Sequence, residues 1–303
     1  MPFTGTPDEI RLKELLNDLF IQNELGGASP YALSAAKVGR SGYSYGVPQY
    51  DLSIPGDGRT VLQDVLQNAM SGGSFIVDDG NPATGRSNDA EVLRLYNLAI
   101  QPGGTSLNSI DRGKIDQALS STYWVQKIDA ELDATLGDRL ANADRVINLT
   151  SGPDRTFLQS DLGKLFLCDY DNQYSITPGG ALEKFVQGQP ALGIAKQGDL
   201  GVGDLLNLYF HTQQAQQTPH DPIRRFANVT ELAGGYSPGN TEADRADAKE
   251  VLRDYTSFVL PNKAQIISAN PGALAEFTMR VIDPAKVPVI TAYAEGRTID
   301  GEG

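Results

Sequence analysis

Residues 24–52 run ELGGASPYALSAAKVGRSGYSYGVPQYDL. The fold turns on whether this stretch is a buried strand feeding a nucleophilic serine or a loop that projects from a helical body. Glycine, serine, proline and tyrosine dominate it without a helical period, so residues 26–58 are expected to form an irregular or short hairpin segment. Upstream the signal is sharper. Thr6-Pro7-Asp8-Glu9 starts a helix, with Thr6 as N-cap, Pro7 at the first helical position and Glu9 closing a capping box. Leu12, Leu15, Leu16, Leu19 and Phe20 then recur at i, i+3, i+4, i+7 and i+8, which lines one face, and Gly26-Gly27 supplies the stop. Glu24 is therefore expected in the last turn of that helix.

Downstream, helical periods continue through Val61, Leu62, Val65, Leu66 and Ala69, and through Val92, Leu93, Leu95 and Tyr96. A longer stretch follows, through Ile115, Leu119, Trp124, Ile128 and Leu132. Further apolar-periodic pieces lie at 162–167, 181–186, 200–210 and 246–259, and the polar gaps 71–87 and 101–109 read as surface loops. No repeat emerges. The sequence thus predicts a mainly α fold with a short irregular or hairpin segment. The SGPD turn near residue 150 marks a division into 1–150 and 151–303, with one integrated body preferred. The last residues, VPVITAYAEGRTIDGEG, end in a polar tail expected to fray.

The 303 residues and 40% apolar content are ample for a buried core. A single cysteine, Cys168, excludes an internal disulfide and a thiolate zinc site. With two histidines in the chain, neither a metal nor a cofactor is implied. The net charge of −13 argues against nucleic acid and against a polybasic membrane surface as partners. No apolar run is long enough to span a bilayer, and the N-terminus lacks a secretory signal, so membrane insertion is not expected.

Gly42-Tyr43-Ser44-Tyr45-Gly46 fits the G-x-S-x-G elbow of serine hydrolases, but an elbow requires a buried strand before it and a helix after it. Ala36 to Ser41 is too polar for the strand, and Pro48 opposes the helix. Glu24 offers different chemistry. It lies four residues after Phe20 and at a helix C-terminus, and both the apolar border and the carbonyl end of the helix dipole raise a carboxyl pKa. A raised pKa suits a general acid. Tyr31, Tyr43, Tyr45 and Tyr50 could stack on sugar rings or simply pack the loop. Ser41, Ser44 and Gln49 could hydrogen-bond hydroxyl and acetamido groups.

The ordered set resembles the lysozyme superfamily. In goose-type lysozymes and lytic transglycosylases, a catalytic glutamate ends a helix, and a glycine-rich segment then leads to a Gly-Leu-Met-Gln-like motif in the cleft. Ser29-Pro30-Tyr31 is similar to the segment that follows the transglycosylase glutamate. Tyr45-Gly46-Val47-Pro48-Gln49-Tyr50-Asp51 is similar to the goose-type Phe-Gly-Leu-Met-Gln-Val-Asp. The resemblance implies a lysozyme-like helical domain whose hairpin lines the cleft, with Glu24 as general acid, Asp51 as the water-directing carboxylate, and Gln49 in the cleft wall. Pro48 departs from the usual methionine, and no acid lies between Glu24 and Asp51.

The implied activity is a muramidase that cleaves between N-acetylmuramic acid and N-acetylglucosamine in peptidoglycan. If it inverts, Glu24 and Asp51 should stand roughly 6.5–9.5 Å apart. The alternatives are a lytic transglycosylase, a non-catalytic peptidoglycan-binding or virion protein, and a serine hydrolase using Ser44. Glycan strands are the expected partner. Made in the cytoplasm without a signal, such an enzyme would act in the periplasm or wall after delivery, as an antibacterial effector or phage endolysin with a delivery or immunity protein. Asp169 to Gln173 begins like a calcium loop but lacks its glycine and terminal glutamate. Gly198 to Gly203 lacks a phosphate-loop lysine. His211 and His220 read as solvated surface.

Overall fold

The computed structural model describes residues 3–25, 28–35, 41–71, 74–75, 90–196, 198–201, 204–205, 208–209, 211–212, 225–226, 228–229 and 232–233. The Gly26-Gly27 stop, most of the 71–87 gap, the 246–259 pattern, His220 and the 287–303 tail lie outside the described residues.

Helix α1 spans Pro7–Phe20 and starts as its sequence dictates: Glu9 N bonds Thr6 Oγ1 at 3.3 Å and Thr6 N bonds Glu9 Oε2 at 2.7 Å. The bond from Thr6 N to the carboxylate holds Glu9 below its usual pKa. Leu12, Leu16, Leu19 and Phe20 are buried and Leu15 half-buried, each fully buried side chain being worth about 1.5–3 kcal/mol. The helix does not end at Phe20. It continues as a five-residue π turn, Ile21–Leu25, that carries Glu24.

The segment read as irregular or hairpin is a three-stranded antiparallel sheet in the order β1 (Ser34–Ala35), β2 (Tyr43–Tyr45), β3 (Tyr50–Asp51). Ser34 pairs with Ser44 and Ser44 with Asp51, while Ala35 pairs with Tyr43 and Tyr45 with Tyr50. Directly paired residues share a face. One face is therefore polar, a row of Ser34, Ser44 and Asp51, and the other carries the tyrosines into the core.

That core is closed by helices: α2 (Asp57–Ala69), α3 (Ala90–Ala99), α4 (Ser109–Leu119) and α5 (Thr122–Asn148). Leu62, Val65 and Leu66, Val92 and Leu95, Ile115 and Leu119, and Trp124 and Ile128 meet Tyr43, Tyr45 and Leu52 there. Leu93 is exposed, so the α3 core face is Val92, Leu95 and Ala99. A short hairpin, β4 (Met70–Ser71) with β5 (Ser74–Phe75), follows α2. The long 115–132 pattern proves to be two helices. It breaks at Ser120, where φ −88° and ψ 3° leave helical geometry although the apolar period carries on.

Helices α6 (Gly152–Gln159), α7 (Asp161–Tyr174) and α8 (Ala181–Val186) follow. The SGPD sequence is the start of α6, with Ser151 at the N-cap and Pro153 in the first turn. The chain divides into two compact units, 1–137 and 138–303, so the division falls inside α5. In the second unit α7 supplies buried acids to cations. Arg139 Nη1 and Asn142 Nδ2 donate to Asp171 Oδ2 at 2.9 and 3.0 Å, Arg225 Nη1 donates to Asp169 Oδ1 at 2.8 Å, and the Tyr209 hydroxyl also donates to Asp169. Asp169 to Gln173 is therefore helix, and its two aspartates are held by protein donors. Cys168 is a buried core thiol whose pKa burial raises. The protein is mainly helical with one small three-stranded sheet. No helix among the described residues is long and apolar enough to cross a membrane.

Candidate functional site

Glu24 is the fourth residue of the π turn. Its neighbours Asn23 and Leu25 are 6% and 7% exposed, and Glu24 is half-buried between them. π turns are uncommon and recur at functional positions, because the extra residue per turn re-aims a side chain. After it the chain is pinned quickly. Ala28 N bonds Leu25 O at 2.8 Å, and Gly46 N bonds Pro30 O at 2.7 Å, which ties the segment after Glu24 to the start of the second hairpin turn.

That turn, Gly46 to Gln49, explains two residues of the motif. Gly46 has φ +76°, and a Cβ there would meet the Tyr50 ring at 2.8 and 2.9 Å, so only glycine fits. Gln49 itself takes φ +55°, and its side chain is fixed at both ends. Ser34 Oγ donates to Oε1 at 2.5 Å, and Nε2 donates to Gly46 O at 3.1 Å. Pro48 fits because a hairpin turn, not a helix, follows Ser44.

Asp51 Oδ1 accepts from Ser53 N at 2.8 Å and from Gly42 N at 3.2 Å. Burial alone would raise its pKa, but hydrogen bonds from Ser53, Gly42 and the Ser41 hydroxyl outweigh burial and hold it below the usual aspartate value. Asp51 is thus an ionised carboxylate that braces its own hairpin. Ser41 is half-buried beside it, and its carbonyl accepts from Gly103 N at 2.9 Å.

The sheet brings Ser34, Ser41, Ser44, Gln49 and Asp51 together. It separates the tyrosines from them. Tyr45 is fully buried, its hydroxyl donating to Gly58 O at 2.8 Å, and Tyr43 is buried against Leu107, so neither presents a ring to a sugar in this conformation. Tyr50 is half-buried, 5.7 Å from the Tyr45 ring, and bonded to Thr135 Oγ1 at 2.9 Å. Tyr31 is half-buried and donates to Asp129 Oδ1 at 2.7 Å, burial and that carboxylate raising its pKa to about 12. Ser44 sits in the middle of a hairpin strand, 6% exposed, and not on a strand-to-helix elbow.

Three residues of the surrounding frame escaped sequence reasoning. Asp116 Oδ1 accepts from Leu33 N at 2.7 Å, and Arg112, one turn earlier on α4, donates to Leu33 O. The pair takes both backbone groups of the residue before β1, much as another strand would, and burial raises the Asp116 pKa. Asp129, on α5, accepts from the Tyr31 hydroxyl instead of from its backbone. An i, i+4 Arg-Asp pair on α4 was readable; its distant target was not. Among the described residues no group of three or more His, Cys, Asp or Glu side chains is placed to hold a metal ion.

The chain matches no protein-family model, no curated protein and no solved structure.

Proposed function

We propose that the protein is a peptidoglycan muramidase that cleaves the β-1,4 bond between N-acetylmuramic acid and N-acetylglucosamine. The observation that carries this reading is a succession within the first 51 residues. A capped helix is followed by a π turn bearing Glu24, and then by a three-stranded sheet whose second turn contains Gly46 and Gln49. In the proposed reaction Glu24 protonates the glycosidic oxygen as the bond from the anomeric carbon breaks. A water then adds to that carbon and gives its proton to Asp51. The half-buried Ser34, Ser41 and Gln49 supply hydroxyl and amide groups for sugar hydroxyls and acetamido groups, while the buried Ser44 does not reach the sugar. Action is on the wall after delivery, and glycan strands are the partner.

One observation favours a second reading. The Asp51 oxygen that accepts two backbone N–H bonds is committed to the hairpin, and a lowered pKa makes Asp51 a weak base. A lytic transglycosylase needs no second carboxylate, since the acid alone withdraws the proton that closes an anhydro sugar. Mass spectrometry of digested glycan separates the two by one water. Hydrolysis gives reducing muramic ends, and Asp51→Asn then lowers turnover by roughly 10², the usual worth of a general base. Anhydro ends from a fully active Asp51→Asn enzyme would assign the transglycosylase instead.

A further inference from the structure

Strand β1 is an outer strand of the sheet and only two residues long. So few pairs hold the register of an edge strand weakly. A slip by one position would put Leu33 or Ala35 where Ser34 stands, and neither carries a hydroxyl. The register is held instead from outside the sheet. Leu33 is 1% exposed, with its side chain in the core, and α4 takes both its backbone N–H and its C=O. Asp116 Oδ1 accepts from Leu33 N at 2.7 Å, and the other carboxylate oxygen faces Arg112 Nε at 3.7 Å, while Arg112 Nη2 donates to Leu33 O. Each of the two side chains orients the other.

The fixed register is felt at Gln49. Ser34 Oγ donates to Gln49 Oε1, and Gln49 Nε2 donates to Gly46 O. Only an N–H can face that carbonyl, so the amide points Oε1 at Ser34 and Nε2 at the turn. Nε2 carries two hydrogens, and the second can donate to an acyl oxygen such as that of an N-acetyl group. Gln49 also holds φ +55°, a left-handed backbone that a residue with a side chain keeps only where its surroundings impose it. A relay therefore joins α4 to the amide: Asp116 and Arg112 to Leu33, Leu33 to Ser34 along the chain, and Ser34 to Gln49.

We propose that Arg112 and Asp116 are positioning residues for sugar recognition: clamping Leu33 sets Ser34, and Ser34 sets the Gln49 amide that takes an N-acetyl group of the glycan. The sugar as ligand rests on the muramidase reading, whereas the relay is internal to the protein and measurable without substrate.

Two substitutions at one position separate the hydrogen bond from the charge. Asp116→Ala removes the acceptor for Leu33 N, and Asp116→Asn keeps an oxygen there but discards the charge. The side-chain amide resonances of Gln49, identified by their loss in Gln49→Glu, are followed by NMR in the full-length protein without ligand. A rigid amide is expected in wild type and in Asp116→Asn, and a mobile one in Asp116→Ala. Ser34→Ala cuts the relay without touching α4 and should mobilise the amide equally, which keeps the test decisive if Asp116→Ala does not fold. On glycan, Asp116→Ala should lower kcat/KM about tenfold, mainly through KM, as the loss of about one hydrogen bond would, and Asp116→Asn should restore it. In a Gln49→Ala background Asp116→Ala should cost nothing further, because the relay then has no end. An amide unmoved in a folded Asp116→Ala or in Ser34→Ala overturns the proposal, as does a cost of Asp116→Ala undiminished by Gln49→Ala. A wild type that cleaves no glycan while its amide behaves as expected sinks the muramidase reading alone.

Discussion

Two stretches of similar composition, YSYGVPQYD at 43–51 and DYDNQY at 169–174, fold into opposite environments. In the first, the period of two sends Tyr43 and Tyr45 into the core and leaves Ser44 and Asp51 on a polar face, where the carboxylate accepts only uncharged donors. In the second, the helix of α7 puts both aspartates inside. Asp169 is 0% and Asp171 1% exposed, each carrying an arginine, and Tyr170, Tyr174 and Tyr209 pack on one another in tilted and edge-on contacts beside them. The difference teaches what to look for in an acid. A carboxylate neutralised by an arginine ties distant parts of the fold together; one held by neighbouring backbone N–H groups, as Asp51 is, braces its own turn and keeps its charge uncompensated.

Breaking the second stretch should cost the most. Asp169→Ala strands Arg225, which is 3% exposed, without its carboxylate, and should destabilise the protein by about 3–5 kcal/mol in chemical denaturation. A cost under about 1 kcal/mol would remove the contrast between the two stretches. Gly46→Ala probes the first. The left-handed backbone and the clash with the Tyr50 ring together should cost about 2–3 kcal/mol, and a variant as stable as wild type would show that the turn is not held as described. The smallest effect is expected at Ser44→Ala. It loses at most one hydrogen bond, so glycan cleavage should stay within about tenfold of wild type. Stoichiometric labelling of Ser44 by a fluorophosphonate would restore the serine hydrolase.

Much of the frame was legible because local rules sufficed. The Thr6 to Glu9 box and the Leu12 to Phe20 face are signals contained within a few turns, and both are present. The sheet was harder. Its strands are two or three residues long, shorter than the window in which alternation becomes a signal, so the sequence reads only as an irregular or short hairpin segment, without register or strand count. Without the register, the sequence leaves open whether the tyrosines stack on sugars or pack the loop; residues two apart on a strand share a face, and Tyr43 and Tyr45 take the buried one. The α4–α5 break was hidden because the same apolar period runs on both sides of Ser120. The partners of Tyr31 and Leu33 come from about 80 to 100 positions away, where no spacing rule reaches.

The central claim is that Glu24 donates the proton, and the most direct test is Glu24→Gln, which removes the proton but keeps the shape of the side chain. Release of soluble fragments from purified peptidoglycan is measured for wild type and for a variant with unchanged circular dichroism and thermal midpoint. The account predicts cleavage by wild type and its abolition in Glu24→Gln. A folded variant that keeps a tenth or more of wild-type turnover would contradict the role of Glu24, and a wild-type protein that releases no fragment from several peptidoglycan types would contradict the muramidase itself.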